Sequence, residues 1–188
     1  MLLFINACVR SCSRTKRLAD RLLTELGGAD KELKLGEIKF PVTDESYLRM
    51  RDRLIAGGEF CHEALKYARE FAAADTIVIA APYWDLSFPA QLKEYIEKIC
   101  VIGVTFGYTE DGQRIGLCKA KRLYYVTTSG GRIESEEFGF GYIKYLAQSF
   151  YGIEECVQFR AEGLDLIGAD AEAILKKAEK EITEHFKR

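Results

Sequence analysis

The chain has 188 residues, of which 48% are apolar and 30% charged, and its formal net charge is -2. This length suits one well-buried domain, predicted over residues 1–188, and the balance of residue types excludes a disordered chain. The small negative charge gives no basic surplus for nucleic acid or an anionic membrane surface, so neither is expected as a partner.

Three features of the sequence indicate where the protein is located: its apolar runs, its N-terminus and its cysteines. Runs such as TIVIAAP are shorter than the roughly 18 to 20 residues that a membrane span needs. The segment MLLFINACVRS has no charged region before its apolar run, which predicts a first strand rather than a signal peptide. The six cysteines include no C-x-x-C pair, so no metal site is predicted. We expect a cytoplasmic protein with free thiols, mostly small and buried.

Strand and helix patterns alternate along the chain. In chain order the predicted elements are the strand LLFINA, a helix over 14–26, the strand KELKLGEI, a polar excursion with a short helix over 41–58, a helix over 60–74, the strand DTIVIAAP, a helix over 89–100, the strand RLYYVTTSGG, a helix over 135–149, the strand IEECVQFRAEG and a helix over 169–186. DTIVIAAP is apolar on both faces, as is typical of a central parallel strand. The alternation predicts an α/β fold, a doubly wound five-stranded parallel sheet of order 2-1-3-4-5 in three α/β/α layers.

Ligands of such a sheet bind beyond the carboxyl ends of the strands. Three loops lie there: the first loop, ACVRSCSRT (residues 7–15), the second loop, PYWDLSFPAQ (82–91), and the third loop, TSGGRIE (128–134). We expect the chemistry of the protein in these three loops.

The first loop is a candidate anion site. It joins a strand to a helix, so main-chain N–H groups and the positive helix end meet at one point. Ser13 and Thr15 can add hydroxyl donors, and Arg10 and Arg14 can add positive charge. The alternative is that Ser13 only caps the helix and the arginines are solvated.

The same loop resembles the C-x5-R-[S/T] signature of low-molecular-weight protein tyrosine phosphatases. In that chemistry Cys8 would be a thiolate that attacks a phosphoester, and Arg14 would clamp the phosphate oxygens. That family supplies the acid for the leaving group from an Asp-Pro pair late in the chain, and this sequence contains no Asp-Pro. Half of that mechanism is therefore missing.

Three separated segments of the sequence are TIVIAAPYWDLSFPAQLKEYIEKI, GVTFGYTEDGQRIGL and KAKRLYYVTTSGG. They resemble the FMN-dependent NAD(P)H:quinone reductase and azoreductase family, in the flavodoxin-like superfamily. NACVRSCSRTKRLAD occupies the place of that family's phosphate loop, and GYIKYLAQSFYGIEECVQFRAEGLD looks like its late segment, which ends in A-E-G. The agreement covers nearly the whole chain. Several separated motifs in one order are more specific than one C-x5-R, which favours a flavoprotein.

The resemblance implies a set of cofactor contacts. Residues expected to bind FMN are Cys8, Arg10, Ser13, Arg14 and Thr15 at the phosphate, Pro82, Tyr83, Trp84, Asp85 and Leu86 beside the flavin, and Thr128, Ser129, Gly130 and Gly131 near the pyrimidine edge. Cys8 stands where the family usually has serine, so it contributes shape rather than chemistry. Tyr108 matches a family aromatic near the substrate. A core or surface aromatic is the alternative for Trp84, and His62 and His185 are expected at the surface.

The resemblance also implies the reaction. NADH or NADPH is expected to reduce the flavin at N5 and then leave, so that a quinone, azo or nitro compound takes its place in ping-pong turnover. A partner subunit is expected to supply the second wall of the pocket, which implies a homodimer. Two alternatives stay open: the phosphatase, and a flavodoxin-like electron carrier, whose usual strongly acidic surface a net charge of -2 does not match.

Overall fold

The computed structural model describes residues 1–187, within which it has seven strands and six α-helices. The strands are β1 (Leu2–Asn6), β2 (Lys31–Lys34), β3 (Thr76–Ala80), β4 (Phe106–Tyr108), β5 (Arg114–Gly116), β6 (Arg122–Thr128) and β7 (Glu155–Ala161). The helices are α1 (Arg14–Glu25), α2 (Glu45–Ala56), α3 (Lys66–Ala73), α4 (Ala90–Ile99), α5 (Phe140–Leu146) and α6 (Ala171–His185).

Five strands form one parallel sheet in the order β2-β1-β3-β6-β7. Counted along the sheet strands alone, this is the predicted order 2-1-3-4-5, so the predicted fold is confirmed. At the centre Phe4 of β1 pairs with Val78 of β3, which pairs with Tyr124 of β6. Every residue of β1 is buried, because helices cover both faces of the sheet.

The two faces of the sheet carry separate cores. Leu18 of α1 and Leu175 of α6 pack with Phe4 on one face. Phe71 of α3 and Leu92 of α4 pack on the other face, with α5 beside them. The side chains of a strand alternate between faces, so neighbouring residues of β1 enter opposite cores. The predicted three-layer arrangement follows from this alternation.

Three predicted boundaries are wrong by four residues or more. The second strand ends at Lys34, because residues 35–37 form a turn of 3-10 helix. The helix predicted from residue 60 begins at Lys66, after a similar turn over residues 63–65. The helix predicted over 135–149 begins at Phe140, because the carbonyl oxygen of Glu136 accepts from the N–H groups of Gly139 and Gly141 and folds that segment into a turn.

The antiparallel hairpin of β4 and β5 was not predicted as strands. Its two strands have only three residues each, too few to establish an alternating pattern. It packs on a turn of π-helix that follows α5, over Ala147–Tyr151, where Gly116 lies against Gly152. The hairpin carries Tyr108, whose side chain is exposed.

Two further predictions concern the cysteine thiols and membrane-spanning segments. All six cysteines are free, as expected, but Cys61 is exposed rather than buried because it lies in the turn before α3. Cys118 is buried, and Cys100 and Cys156 are partly buried. Across residues 1–187, every helix is too short or too polar to cross a membrane.

Candidate functional site

The three loops at the carboxyl ends of β1, β3 and β6 meet around one cleft of about 190 Å³. Ten of the predicted site residues line it: Arg10, Ser13, Arg14, Thr15, Pro82, Tyr83, Trp84, Thr128, Ser129 and Gly130. The topology of the sheet brings these loops together, because parallel strands end at the same edge.

Five predicted residues lie outside the lining of the cleft. Tyr108 is on the hairpin, and Asp85 and Leu86 are exposed beside the cleft. Gly131 directly follows Gly130, the last residue of the third loop that lines the cleft. Cys8 is partly buried, with its Sγ 3.8 Å from the carbonyl oxygen of Ala80. Burial raises the pKa of the Cys8 thiol, so at neutral pH it is a neutral group rather than a nucleophile.

The first loop ends in the N-terminus of α1. The Ser13 hydroxyl oxygen accepts from the Lys16 N–H at 3.2 Å, so Ser13 caps the helix, as one of the two sequence interpretations held. The N–H groups of Arg14 and Thr15 follow in the first turn and donate to no acceptor within residues 1–187. Free donors and the helix dipole make this end of the cleft attractive to an anion.

Two hydroxyl groups join the first loop to β6. The Oγ1 atoms of Thr15 and Thr128 lie 2.6 Å apart, and both residues are buried while lining the cleft. Each hydroxyl carries one hydrogen, and the pair uses only one of them. The second hydrogen has no acceptor within residues 1–187, so it is available to a ligand in the cleft.

Both predicted arginines have partners on the cleft wall. The Arg14 guanidinium donates to Asp165 through Nη1 at 2.9 Å and Nη2 at 3.2 Å. Arg14 holds the pKa of the Asp165 carboxyl below its usual range. The guanidinium of Arg10 lies over the Trp84 ring, 5.9 Å from its centroid. Each arginine therefore contacts another residue of the cleft, rather than being held only by solvent as the alternative interpretation of the sequence had it.

The second loop contains a tight turn between Trp84 and Ser87. Their main chains exchange two hydrogen bonds, of 3.1 and 2.8 Å, around Asp85 and Leu86. Asp85 has φ 51° and Leu86 φ 64°, the left-handed conformation that a two-residue turn of this kind requires. Such values are uncommon for leucine. The N–H groups of both residues have no acceptor within residues 1–187.

The third loop is held by the segment that follows β7. Main-chain N–H groups of Gly163, Leu164 and Asp165 donate to carbonyl oxygens of residues 131, 129 and 130 at 2.9 to 3.2 Å. A Cβ at Gly130 would lie 2.4 Å from Asp165 Oδ2, so a side chain there would displace that carboxylate from its present position. The N–H groups of Gly130 and Gly131 find no acceptor within residues 1–187.

This donor set fits a phosphate-bearing flavin. Unpaired N–H groups from all three loops, one spare hydroxyl hydrogen and two guanidinium groups suit phosphate oxygens and the carbonyl groups of a pyrimidine edge. The Trp84 and Tyr83 side chains give apolar surface for a flat ring. The Trp84 side chain is 36% exposed, so this part of the lining faces solvent.

Three residues of the lining were not predicted from the sequence: Val9, Cys12 and Asp165. Val9 and Cys12 lie inside the first loop, and their neighbours were predicted. Asp165 is the second residue after the A-E-G of the late segment, a motif that identified the segment but assigned no role to the carboxylate.

Comparison with known proteins places the chain in a family. A family model described as the flavodoxin-like fold matches residues 1–186. The chain is 44% identical over 131 residues to FMN-dependent NADH:quinone oxidoreductase 2 of Clostridium acetobutylicum, and this match covers 67% of this chain and 64% of that protein. It is 34% identical over 180 residues to the FMN-dependent NADH:quinone oxidoreductase of Clostridium beijerinckii, which is 92% of this chain and 90% of that protein.

Solved structures agree with the fold. The azoreductase of Bacillus anthracis str. Sterne superposes with a TM-score of 0.84 at 23% identity, covering 98% of this chain and 97% of the other. An FMN-dependent NADH-azoreductase from Bacillus anthracis str. Ames Ancestor in complex with FMN gives 0.81 at 24% identity, covering 100% and 97%. The family model and the sequence relatives show that the chain belongs to the flavodoxin-like fold family, in the group of the FMN-dependent NADH:quinone oxidoreductases.

Proposed function

We propose that this chain is an FMN-dependent NADH:quinone oxidoreductase that also reduces azo or nitro compounds. The observation that carries the proposal is the meeting of three loops around one cleft, where the first and third loops place unpaired N–H donors in the lining and Asp85 and Leu86 of the second loop place two more beside it. Both sequence relatives are named FMN-dependent NADH:quinone oxidoreductases, which supports the quinone activity. When bound, FMN accepts a hydride from NADH and passes the electrons to the acceptor.

The residues of the chain divide the work of holding that cofactor. The N-terminus of α1, with the Thr15 and Thr128 hydroxyls, offers donors for the phosphate. Main-chain N–H groups offer donors for the polar edges of the ring, from the turn at Asp85 and Leu86 and from Gly130 and Gly131. Trp84 offers an apolar face beside them. The protein thus binds and orients, and no side chain acts as a covalent catalyst.

The assembly, donor and compartment extend the proposal. Trp84 is partly exposed in the lining of the cleft, and Tyr108 is exposed on the hairpin. A second copy of the chain would cover such surfaces, which supports a homodimer. NADH is the donor named for the sequence relatives. Six free cysteines suit the reducing cytoplasm.

Reconstitution with FMN tests this function. The purified protein is expected to retain FMN on gel filtration, to lose the visible flavin absorbance when NADH is added without air, and to regain it with a quinone. Initial rates at several fixed acceptor concentrations should give parallel double-reciprocal lines, because donor and acceptor share one site. Intersecting lines would contradict the shared site, and a protein that binds no flavin would contradict the function.

The phosphatase alternative is not supported by the geometry. Its nucleophile would be Cys8, which lies outside the lining of the cleft and whose thiol pKa is raised by burial. A cysteine nucleophile requires the opposite conditions, an accessible thiol of lowered pKa.

A further inference from the structure

A negative charge lies in the cleft where the proposed function places a phosphate. Asp165 is the one acidic side chain in the lining of this cleft within residues 1–187. The other charged side chains there are Arg10 and Arg14, so the three together carry a formal charge of +1. A carboxylate weakens the attraction of such a site for an anion, so its presence calls for a physical reason.

The position of Asp165 is fixed by the main chain. Its N–H donates to the carbonyl oxygen of Gly130 at 2.9 Å, and its carboxylate occupies the space that a side chain at Gly130 would fill. Arg14 comes from the other side of the cleft, at the first turn of α1. The lowered pKa of Asp165 keeps the carboxylate ionised at neutral pH.

The contact between these two side chains has the geometry that a phosphate would adopt. Nη1 of Arg14 binds Oδ1 of Asp165 at 2.9 Å, and Nη2 binds Oδ2 at 3.2 Å. Guanidinium groups bind carboxylate and phosphate through the same two-pronged fork. The pair is also partly exposed to solvent, with side-chain exposures of 35% and 64%, so exchange of one anion for another is not blocked by packing.

We propose that Asp165 competes with the FMN phosphate for the terminal nitrogens of Arg14 and thereby lowers the affinity of the protein for FMN. The proposal rests on the proposed function, since it takes the cleft to be the FMN site. Binding of FMN then requires Arg14 to leave the carboxylate or to share its donors between two anions. The carboxylate acts only on the phosphate end, so riboflavin, which has the same ring and no phosphate, should not be affected.

The test is the affinity of FMN and of riboflavin for Asp165→Asn, measured by quenching of flavin fluorescence. Asparagine keeps the volume of the side chain over Gly130 and removes its charge. FMN should bind about three- to tenfold more tightly to this variant, the range expected for loss of one partly exposed competing charge. Riboflavin affinity should stay within about twofold of the parent.

Two controls separate competition for Arg14 from a general effect of charge. In the Arg14→Gln background, Asp165→Asn should improve FMN affinity by less than about twofold, because the shared fork is gone. Glu134→Gln makes the same change of net charge at an exposed carboxylate of the third loop that forms no ion pair within residues 1–187, and should leave FMN affinity unchanged.

Each contrary result has a distinct meaning. Weaker FMN binding by Asp165→Asn would overturn the competition and make the carboxylate a positioning group for Arg14. An equal gain with riboflavin, or an equal gain in the Arg14→Gln background, would also overturn it. A parent protein that binds FMN, with a variant that binds it equally, refutes the competition alone. A parent that binds neither flavin refutes the proposed function itself.

Discussion

The hydroxyl oxygens of Thr15 and Thr128 lie 2.6 Å apart and join the first turn of α1 to the end of β6. Both residues are buried, at 1% and 7% exposure, in the wall of the cleft. The contact therefore couples the stability of two loops to the donor set that we assign to the phosphate.

The first prediction concerns this pair. Thr15→Val leaves the Thr128 hydroxyl buried without its partner, which should lower the free energy of unfolding by about 1 to 3 kcal/mol. Thr128→Val should do the same. The double variant should cost less than the sum of the two, because it leaves neither hydroxyl unpaired. Urea unfolding of the three variants measures this, and strict additivity would contradict the coupling.

The second prediction concerns Cys8. Burial raises the pKa of its thiol, so the reactive thiolate is rarer at pH 7 than in an exposed cysteine and becomes more abundant as pH rises. Iodoacetamide should therefore modify Cys61, which is exposed, well before Cys8. Peptide mapping by mass spectrometry at pH 7 and pH 9 measures the two rates.

A companion variant completes the test of Cys8. Cys8→Ser should retain FMN and reductase activity, because the thiol lies outside the lining of the cleft. The parent protein should not hydrolyse aryl phosphates. Preferential alkylation of Cys8 at pH 7, together with aryl phosphate hydrolysis that the serine variant loses, would support the phosphatase instead.

The sheet could be predicted from the sequence because its signal is local. TIVIAAP is apolar on both faces, which places it at the centre, and each strand is followed by a helical pattern. The cleft could be located from the loops that follow these strands. The Arg14–Asp165 ion pair could not, since its residues are 151 positions apart and nothing local links them. The contact between Thr15 and Thr128, which are 113 positions apart, could not be predicted for the same reason, although both residues were predicted for the site.

The third prediction concerns the turn of the second loop. Leu86 has φ 64°, a conformation that costs an L-residue about 1 to 2 kcal/mol relative to glycine. Its side chain is 69% exposed, so its removal should cost little by itself. Leu86→Gly is therefore expected to be more stable than Leu86→Ala by about 1 kcal/mol, after the greater flexibility of glycine in the unfolded chain is included.

The comparison of the two Leu86 variants is its own control, because both remove the same exposed side chain and only one relieves the backbone. Thermal and urea unfolding should rank glycine above alanine. Equal stability of the two would mean that the turn relaxes away from the left-handed conformation when Leu86 is shortened.

The last prediction concerns the hairpin that carries Tyr108. A Cβ at Gly116 would lie 2.1 Å from the main-chain nitrogen of Gly152, and neither backbone has room to move without separating the hairpin from the π-helical turn. Gly116→Ala should lower the free energy of unfolding by about 1 to 3 kcal/mol or more. Gly107→Ala, in the partner strand, meets its nearest neighbour only at 3.5 Å and should be close to neutral.

The same variant separates the roles of the hairpin and the cleft. Because the hairpin lies outside the cleft, the FMN affinity of the folded Gly116→Ala variant should match that of the parent, whereas the KM for the acceptor should rise if Tyr108 contacts it. Unfolding in urea, flavin titration and acceptor kinetics on both variants measure these effects, and a Gly116→Ala protein as stable as Gly107→Ala would show that the hairpin does not rest on Gly152.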